Sequence, residues 1–212
     1  MMTTNALFSE IHCGAWVDAP DAAELARAAD CVIENHLDTI CVKPSAVGTL
    51  WPWIEGRGIT IMARIDGATG LTRQITDVLR QGADGAIVSL TPATLRSWAN
   101  DIAVVRDDLF FNKKLTVCLD IDGVDENSWP EISTLLARIR ADAVMFDMNR
   151  DAGDASDFVG RVYGILNVWD WDMFDGKLQW ANLSELRMVQ AWRLIQKMRP
   201  DIAAQTQFFV AI

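Results

Sequence analysis

The chain of 212 residues has few of the residue types that mark several protein classes. Two histidines and four cysteines, with no Cys-x-x-Cys pair, argue against a zinc site. A net charge of −10 and the lack of a Lys/Arg-rich stretch argue against nucleic acid as a partner, because a phosphate backbone requires concentrated positive charge. No apolar run approaches the roughly 20 residues that span a bilayer, so we expect no membrane partner. Residues 1–10 lack the basic start and apolar stretch of a signal peptide, which predicts a cytoplasmic protein.

Several catalytic motifs are also missing from the sequence. There is no G-x-S-x-G elbow, no Walker loop and no G-x-G-x-x-G after the first apolar run. The composition itself is ordinary, with 50% hydrophobic and 23% charged residues. This balance predicts a single folded domain over residues 1–212.

A repeated pattern organises the first 120 or so residues: a short apolar, β-branched run ends in a polar residue and a helix-start signal follows. The five runs are Ile11–Val17, Thr39–Val42, Ile59–Ile65, Gly85–Val88 and Leu115–Ile121. Three further strand candidates are Ala143–Phe146, Lys177–Trp180 and Gln205–Val210. Helices are predicted between them at 21–35, 45–54, 71–81, 92–105, 129–140, 155–168 and 184–198. Eight strands with seven intervening helices predict a small (β/α)₈ TIM barrel, and an open doubly wound sheet is the alternative.

Helix starts and the last strand give further expectations. Ser128 with Glu131, and Asn182 with Glu185, have the spacing of reciprocal N-terminal caps. The sequence reaches Ile212 without a helix after strand eight, which predicts that Phe208 and Phe209 are exposed. An exposed apolar face is typical of an interface, so either the N-terminal segment or a second subunit is expected to cover it, and a homodimer is predicted.

Nine tryptophans are many for this length. Helix packing or interface contacts account for most of them. The Trp169-Asp170-Trp171 stretch raises the alternative of a stacking platform for a sugar-like substrate.

Polar residues stand at the carboxyl ends of the predicted strands, where TIM barrels carry their active sites. Lys43, Asp120 and Asp147 are the candidate catalytic residues. The candidate substrate-binding residues are Arg64, Asp66, Ser89, Asp122, Asn149, Arg150 and Asn182. Asp120 and Asp122 share one face of their strand because side chains alternate.

Lys43 follows the second strand directly and precedes Pro44. Its amine is expected to face Asp66, Asp120 and Asp147, where it either attacks a carbonyl group or balances the carboxylates. The cluster of aspartates without histidine also suits Mg²⁺, which prefers oxygen ligands. No cofactor is otherwise predicted, so magnesium is the one alternative.

The order of short motifs resembles the deoxyribose-phosphate aldolase group of class I aldolases. The matching pieces are Ile11-His-Cys-Gly, Cys41-Val-Lys-Pro-Ser-Ala-Val47, Gly58-Ile-Thr-Ile, Gly82-Ala-Asp84, Leu115–Asp122 and Ala141-Asp-Ala-Val144. Together they cover roughly residues 11–150 and imply a TIM barrel. The resemblance places the family's acid on strand four near Ile87, its Schiff-base lysine at Met145 and its second lysine near Gln179 or Trp180. None of these residues can do that chemistry, and the family's glycine-rich phosphate loops have no counterpart, so the resemblance implies a divergent relative without the catalytic lysines.

Three functions therefore stand as hypotheses. The first is a carbon–carbon lyase that acts on a small carbonyl compound through a relocated lysine, Lys43, with Asp120 or Asp147 as proton shuttle. The second is a non-catalytic barrel that binds a small molecule or a partner. The third is a Mg²⁺-assisted, enolate-forming lyase that uses Asp66, Asp120, Asp122 or Asp147.

Overall fold

Eight parallel strands close into a barrel in chain order in the computed structural model of the protein. The structure describes residues 11–19, 21–66, 69–109, 112–119, 126–148, 155–169 and 174–212. The strands are β1 His12–Trp16, β2 Thr39–Val42, β3 Thr60–Asp66, β4 Gly85–Leu90, β5 Lys114–Leu119, β6 Ala143–Asp147, β7 Lys177–Leu183 and β8 Thr206–Ala211. The closed barrel, with a helix in each connection between strands, confirms the predicted fold class.

The helices lie outside the barrel, as the pattern of apolar residues predicts. They are α1 Ala22–Glu34, α2 Pro44–Ile54, α3 Leu71–Arg80, α4 Pro92–Leu109, α5 Trp129–Arg138, α6 Ala155–Val168, α7 Glu185–Met198 and the single turn α8 Pro200–Ala203. A short 3₁₀ turn, Glu126–Ser128, precedes α5. Most boundaries fall within two residues of the predicted ones, although α4 and β7 each run further.

The barrel interior is filled by side chains. One residue from each strand contributes to an inner cluster: Trp16, Cys41, Met62, Ile87, Cys118, Met145, Ala181 and Phe209. The larger cluster lies between strands and helices, on the opposite face of each strand. The barrel interior is therefore a packed core and not a pore, as in other TIM barrels.

Phe208 and Phe209 are both fully buried, so the prediction that they are exposed is wrong. Phe209 faces the barrel interior, where it lies against Gly14. Phe208 faces outward beneath the helices, because α7 extends across this part of the barrel. The Cys13 thiol lies 3.4 Å from the sulfur of Met188 on α7, which shows that this helix reaches as far as β1.

Both predicted capping pairs are also wrong. Ser128 has helical backbone angles and makes no side-chain cap, because it ends the 3₁₀ turn that leads into α5. The cap of α7 is Ser184, whose hydroxyl accepts a hydrogen bond from the Arg187 amide at 3.4 Å. Asn182 instead lies within β7.

The tryptophans divide between core and surface. Trp169 is buried and packs edge-on against Trp129 at 5.5 Å between ring centroids, so its ring is not available for a stacked sugar. Trp51 and Trp53 on α2 are partly exposed. Asp170 and Trp171 lie outside the described residues. Among the helices that the structure describes, none is both long enough and apolar enough to cross a bilayer.

Candidate functional site

The carboxyl ends of the parallel strands meet at one end of the barrel, here called the mouth. Six of the ten predicted site residues lie there within the described ranges: Lys43, Arg64, Asp66, Ser89, Asp147 and Asn182. The other four, Asp120, Asp122, Asn149 and Arg150, lie outside the described residues. The described residues form three separate groups around the rim, each held by its own polar contacts.

Among the charged residues of the mouth that the structure describes, Arg64 is the most deeply buried, with only 7% of its surface exposed. It follows Met62 by two positions on β3, so its side chain points into the barrel on the same side. The guanidinium lies 4.2 Å from the centroid of the Trp16 ring, a cation–π contact. One terminal nitrogen donates to the Val17 carbonyl at 2.7 Å and to the Asp18 carboxylate, while Nε is buried without a partner among the described residues.

Asp18 links this guanidinium to Lys43. The Lys43 Nζ lies 3.7 Å from Asp18 Oδ1, and both side chains are more than half exposed. The hydrogen bond from Arg64 is the main cause that holds the pKa of Asp18 below its ordinary value, and the charges of Arg64 and Lys43 add to it. Partial burial opposes this shift. Asp18 is therefore a carboxylate that stays ionised between two cations.

Lys43 is positioned by the turn between β2 and α2. Its backbone is extended, with φ −65° and ψ 152°, which is the conformation favoured before a proline. Pro44 occupies the first turn of α2, where its missing N–H is harmless. The sequence predicts that Lys43 faces Asp66 and Asp147, but the carboxylate that it contacts in the described part of the chain is Asp18.

A second group joins neighbouring strands β3 and β4. The Ser89 hydroxyl donates to Asp66 Oδ1 at 3.0 Å, across the register in which these two residues are partners. The pair is open to solvent. It offers a substrate one carboxylate oxygen and a hydroxyl group.

The third group lies on β6 and β7. Asn182 Nδ2 donates to Asp147 Oδ1 at 3.3 Å. Asn182 has a left-handed backbone with φ 62°, and the β7–β8 register shifts between Trp180 and Leu183. This bulge explains why the predicted cap at Asn182 does not form: the residue belongs to an irregular strand end and not to the helix start.

The strand order sets the distances between the groups. Lys43 follows β2 and Asp147 ends β6, four strands away in either direction around the eight-stranded barrel. The two residues therefore stand on opposite sides of the mouth, and a small molecule bound between them would have Arg64 near one end.

The sequence gives no sign of Trp16 as a site residue, and it places Asp18 among the polar residues at the carboxyl ends of the strands without a specific role. Trp16 contacts the Arg64 guanidinium with its ring, and Asp18 pairs with the same guanidinium. Their two-residue spacing at the end of β1 places both on the inner face, which is a signal that the alternation of side chains could have supplied.

The positions that the aldolase resemblance singles out lie inside the barrel or behind it. Ile87 and Met145 are fully buried in the inner cluster. Gln179 is also buried, and its Nε2 donates to Gln207 at 2.9 Å. Trp180 faces outward against Phe146.

No group of three or more metal-ligating side chains occurs among the described residues. Asp66 and Asp147, the two described candidates for a magnesium site, belong to different groups on β3 and β6. The magnesium hypothesis therefore depends on Asp120 and Asp122, which the structure does not describe.

Comparison with known proteins supports the fold. No protein-family model matches the chain, and no curated protein sequence matches it significantly. A solved structure assigned as a deoxyribose-phosphate aldolase from Coccidioides immitis has a TM-score of 0.74 at 14% identity, over 99% of this chain and 83% of that one. Deoxyribose phosphate aldolase from Aeropyrum pernix has a TM-score of 0.71 at 14% identity, over 98% and 87%.

A second enzyme type shares the architecture at lower similarity. Dihydrodipicolinate synthase from Agrobacterium tumefaciens has a TM-score of 0.60 at 13% identity, over 99% of this chain and 72% of that one. At these identities the likeness shows an aldolase-like TIM-barrel fold. The fold alone does not indicate an activity, because it hosts unrelated chemistries.

Proposed function

We propose that this protein is an aldolase-type lyase that binds a small carbonyl compound at the barrel mouth and holds it as a Schiff base on Lys43. One observation carries the proposal. The chain has five lysines, and Lys43 alone is at the carboxyl ends of the strands. The other four are Lys113, Lys114 and Lys177 at the amino ends of strands, and Lys197 in the last turn of α7. If a lysine of this chain reacts with a substrate at the mouth, it is Lys43.

The surroundings of Lys43 suit an anionic carbonyl compound. In this group of contacts, the guanidinium of Arg64 and the ammonium of Lys43 share one carboxylate, Asp18. The buried Nε of Arg64 adds a donor without a partner among the described residues. A substrate carboxylate or other anionic group would complete this arrangement, because charge-assisted hydrogen bonds are the stronger ones.

The proposed reaction begins when the ammonium group of Lys43 gives up a proton to solvent. The neutral amine attacks the substrate carbonyl, and the addition product takes up a proton and loses water to give an iminium ion. A base then takes the proton of the β-hydroxyl group, and the bond between the α and β carbons breaks. The aldehyde or ketone that forms leaves, and the electron pair moves onto the iminium nitrogen as an enamine. Protonation of the α carbon and hydrolysis release the second product and restore Lys43.

Asp147 is the described candidate for the base, with Asp120 as the alternative from the sequence. Its position across the mouth from Lys43 suits a substrate whose carbonyl and hydroxyl carbons lie between the two residues. Asn182 would orient the carboxylate through its 3.3 Å hydrogen bond. Asp18 suits this role less well, because the lowered pKa that the Arg64 hydrogen bond causes makes its carboxylate a weaker base.

Borohydride trapping tests the proposal. The protein is incubated with small aldehydes and keto acids, reduced with borohydride and analysed by intact mass and peptide mapping. A trapped adduct adds the mass of the carbonyl compound less one oxygen atom. We expect one adduct, on the peptide that contains Lys43, and none in Lys43→Arg. Lys197→Ala is the matched control and should label like the unsubstituted protein.

Adducts spread evenly over the lysines, or an adduct that persists in Lys43→Arg, would contradict the Schiff-base proposal. The metal-assisted route is tested by measuring the rate of substrate cleavage once with EDTA and once with Mg²⁺. Cleavage through a Schiff base needs no metal, so the two rates should be the same. A rate that requires Mg²⁺ would favour the enolate mechanism.

A second candidate is a non-catalytic barrel that binds the same class of compound. The buried aliphatic side chains of Ile87 and Met145, at the positions that the resemblance links to the acid and the Schiff-base lysine, favour it. Saturable binding of a keto acid that is weakened in Arg64→Lys, together with no borohydride adduct, would support this candidate over the lyase.

A further inference from the structure

The amino-terminal end of the barrel, opposite the mouth, holds a second polar constellation. A cavity of about 220 Å³, here called the basal pocket, opens there. Its polar lining includes His12, Asp38, Thr39, Lys114, Lys177 and Gln207. Most of these stand at or next to the first residue of a strand, so the parallel barrel brings them to one end. This end of a TIM barrel usually serves stability alone, which makes a cavity with two lysines unusual.

The acidic residue of the basal pocket is already satisfied. Asp38 Oδ1 accepts hydrogen bonds from Thr39 Oγ1 at 2.8 Å and from Gln207 Nε2 at 2.9 Å. Its carboxylate forms no ion pair with a lysine of the pocket among the described residues. One negative charge therefore stands against two lysine charges.

The two lysines are available to a ligand. Lys114 Nζ makes one long contact, 3.5 Å to Thr60 Oγ1. Neither Lys177 nor His12 has a side-chain hydrogen bond or ion pair within the part of the chain that the structure describes. The small volume of the basal pocket and the surplus positive charge of its lining fit an oxyanion such as a phosphate or carboxylate group.

Gln179 supplies a separate indication of the ligand. It follows Lys177 by two positions on β7, so it points to the same inner side, one layer deeper. Its Nε2 donates to Gln207 Oε1, and Gln207 in turn donates to Asp38, which fixes the orientation of both amides. Gln179 Oε1 is then a buried acceptor without a donor among the described residues. A buried unpaired acceptor is costly. Gln179 does not itself line the basal pocket, but Gln207, to which it donates, does, so we expect a hydroxyl group that enters beside Gln207 to satisfy this oxygen.

We infer that the basal pocket is a second binding site, distinct from the mouth, for a small oxyanion that also carries a hydroxyl group. Lys114 and Lys177 would bind the anionic group. The amide oxygen of Gln179 would accept a hydrogen bond from the hydroxyl group. This site does not depend on the proposed chemistry of Lys43.

Calorimetric titration tests the inference, with inorganic phosphate and glycerol 3-phosphate as the two probes. Both should bind the full chain, and glycerol 3-phosphate more tightly. Lys177→Ala, at an exposed residue, should weaken both probes by about tenfold, because charge-assisted contacts are lost. Lys197→Ala should bind both probes like the unsubstituted protein, and in Lys43→Ala the binding that Lys177→Ala weakens should remain.

The Gln179→Leu variant measures what the hydroxyl group of glycerol 3-phosphate contributes to the affinity. It should weaken glycerol 3-phosphate to the affinity of inorganic phosphate while leaving phosphate unchanged. Failure of both probes to bind at millimolar concentration would overturn the inference, as would binding that is lost in Lys43→Ala but kept in Lys177→Ala. Equal affinities of glycerol 3-phosphate for the unsubstituted protein and for Gln179→Leu would overturn the role of Gln179.

Discussion

The guanidinium of Arg64 lies 4.2 Å from the centroid of the Trp16 ring and donates to the backbone and carboxylate of the two residues that follow Trp16. This contact fixes a buried charge at the boundary between the packed interior and the mouth. It also ties β3 to the end of β1, although β2 lies between them in the barrel. The same side chain therefore serves the stability of the barrel and the charge of the site.

Replacement of Arg64 should show both effects. Arg64→Lys keeps the charge but loses the planar stacking on Trp16 and the two hydrogen bonds that one guanidinium nitrogen donates. We expect the free energy of unfolding to fall by about 1–3 kcal/mol, since the lost hydrogen bonds involve a charged donor. Urea denaturation measures this. Arg73→Ala is the control, because Arg73 is highly exposed and its pairing distance to Asp77 is 3.7 Å. That variant should stay within about 0.5 kcal/mol of the unsubstituted protein.

The sequence predicted the barrel because the signals that decide it are local. Thr39–Val42 is predicted to the residue, since it stands alone as an apolar run between polar residues. The mouth was predicted as a set of residues, because the ends of parallel strands must meet there. Its pairings could not be predicted in the same way. Whether Lys43 contacts Asp18 or Asp66 depends on strand register and barrel closure, which no local pattern records.

The errors have the same origin. Asn182 and Glu185 have the spacing of a cap, but the irregular end of β7 places Asn182 in the strand, and Ser184 caps the helix. The sequence predicts an exposed Phe208 because no helix follows strand eight along the chain. In space, α7 extends over β8 to Cys13 on β1. Both cases turn on tertiary contacts between elements that are far apart in sequence.

The stability contribution of Asp18 should depend on pH. Its pKa is lowered in the folded protein, mainly by the hydrogen bond from Arg64. A carboxyl group whose pKa is lowered by folding stabilises the fold at pH values above its pKa in the unfolded chain, about 3.9 for aspartate. This stabilisation is lost as the pH falls through the lower pKa that the group has in the folded protein. Asp18→Asn should therefore be less stable at pH 7, by no more than about 1 kcal/mol because the carboxylate is more than half exposed.

Chemical denaturation of both proteins between pH 7 and pH 2.5 measures this difference. We expect the gap between them to be constant down to about pH 4 and to narrow below it. A gap that does not change with pH would mean that the ionised form of Asp18 is not what stabilises the fold.

Met145 provides a test of the barrel interior at the position that the resemblance links to a Schiff-base lysine. Met145→Lys would place an ammonium group in a fully buried, apolar cluster. We expect the free energy of unfolding to fall by about 3 kcal/mol or more, because a buried charge without a partner is costly. Met145→Leu conserves volume and should cost less than about 1.5 kcal/mol. Thermal unfolding compares the two, and similar losses would show that packing and not charge sets the cost.

Gly14 lacks a side chain because Phe209 occupies the space. A Cβ added at Gly14 would lie 2.6 Å from Phe209 Cε1 and 3.0 Å from the Thr39 carbonyl oxygen. Gly14→Ala should therefore lower the free energy of unfolding by about 1–3 kcal/mol, the usual cost of overpacking. The double variant Gly14→Ala/Phe209→Leu should lose less free energy of unfolding than the sum of the two single losses, because the smaller side chain makes room for the added methyl group.

Gly48→Ala is the matched control for this prediction. Gly48 lies within α2, and no described residue outside the helix lies within 4 Å of the position of an added Cβ. The substitution should raise stability by up to about 1 kcal/mol through helix propensity. Opposite signs for the two Gly→Ala changes, measured by urea denaturation, would separate the packing effect from the backbone effect. A stabilising Gly14→Ala would contradict the close contact with Phe209.

The four cysteines should differ sharply in reactivity, because the thiolate is the form that attacks an alkylating reagent. Burial and the nearby charge of Asp38 raise the pKa of Cys13 to about 12, and burial raises the pKa of Cys41 as well. Cys118 is also buried, whereas Cys31 on α1 is partly exposed. Iodoacetamide at pH 8 should therefore label Cys31 first under native conditions and all four cysteines in urea, as read by peptide mass. Cys31→Ser should abolish the rapid labelling. Rapid labelling of Cys13 or Cys41 without urea would mean that the strands that carry them open far more readily than a packed barrel allows.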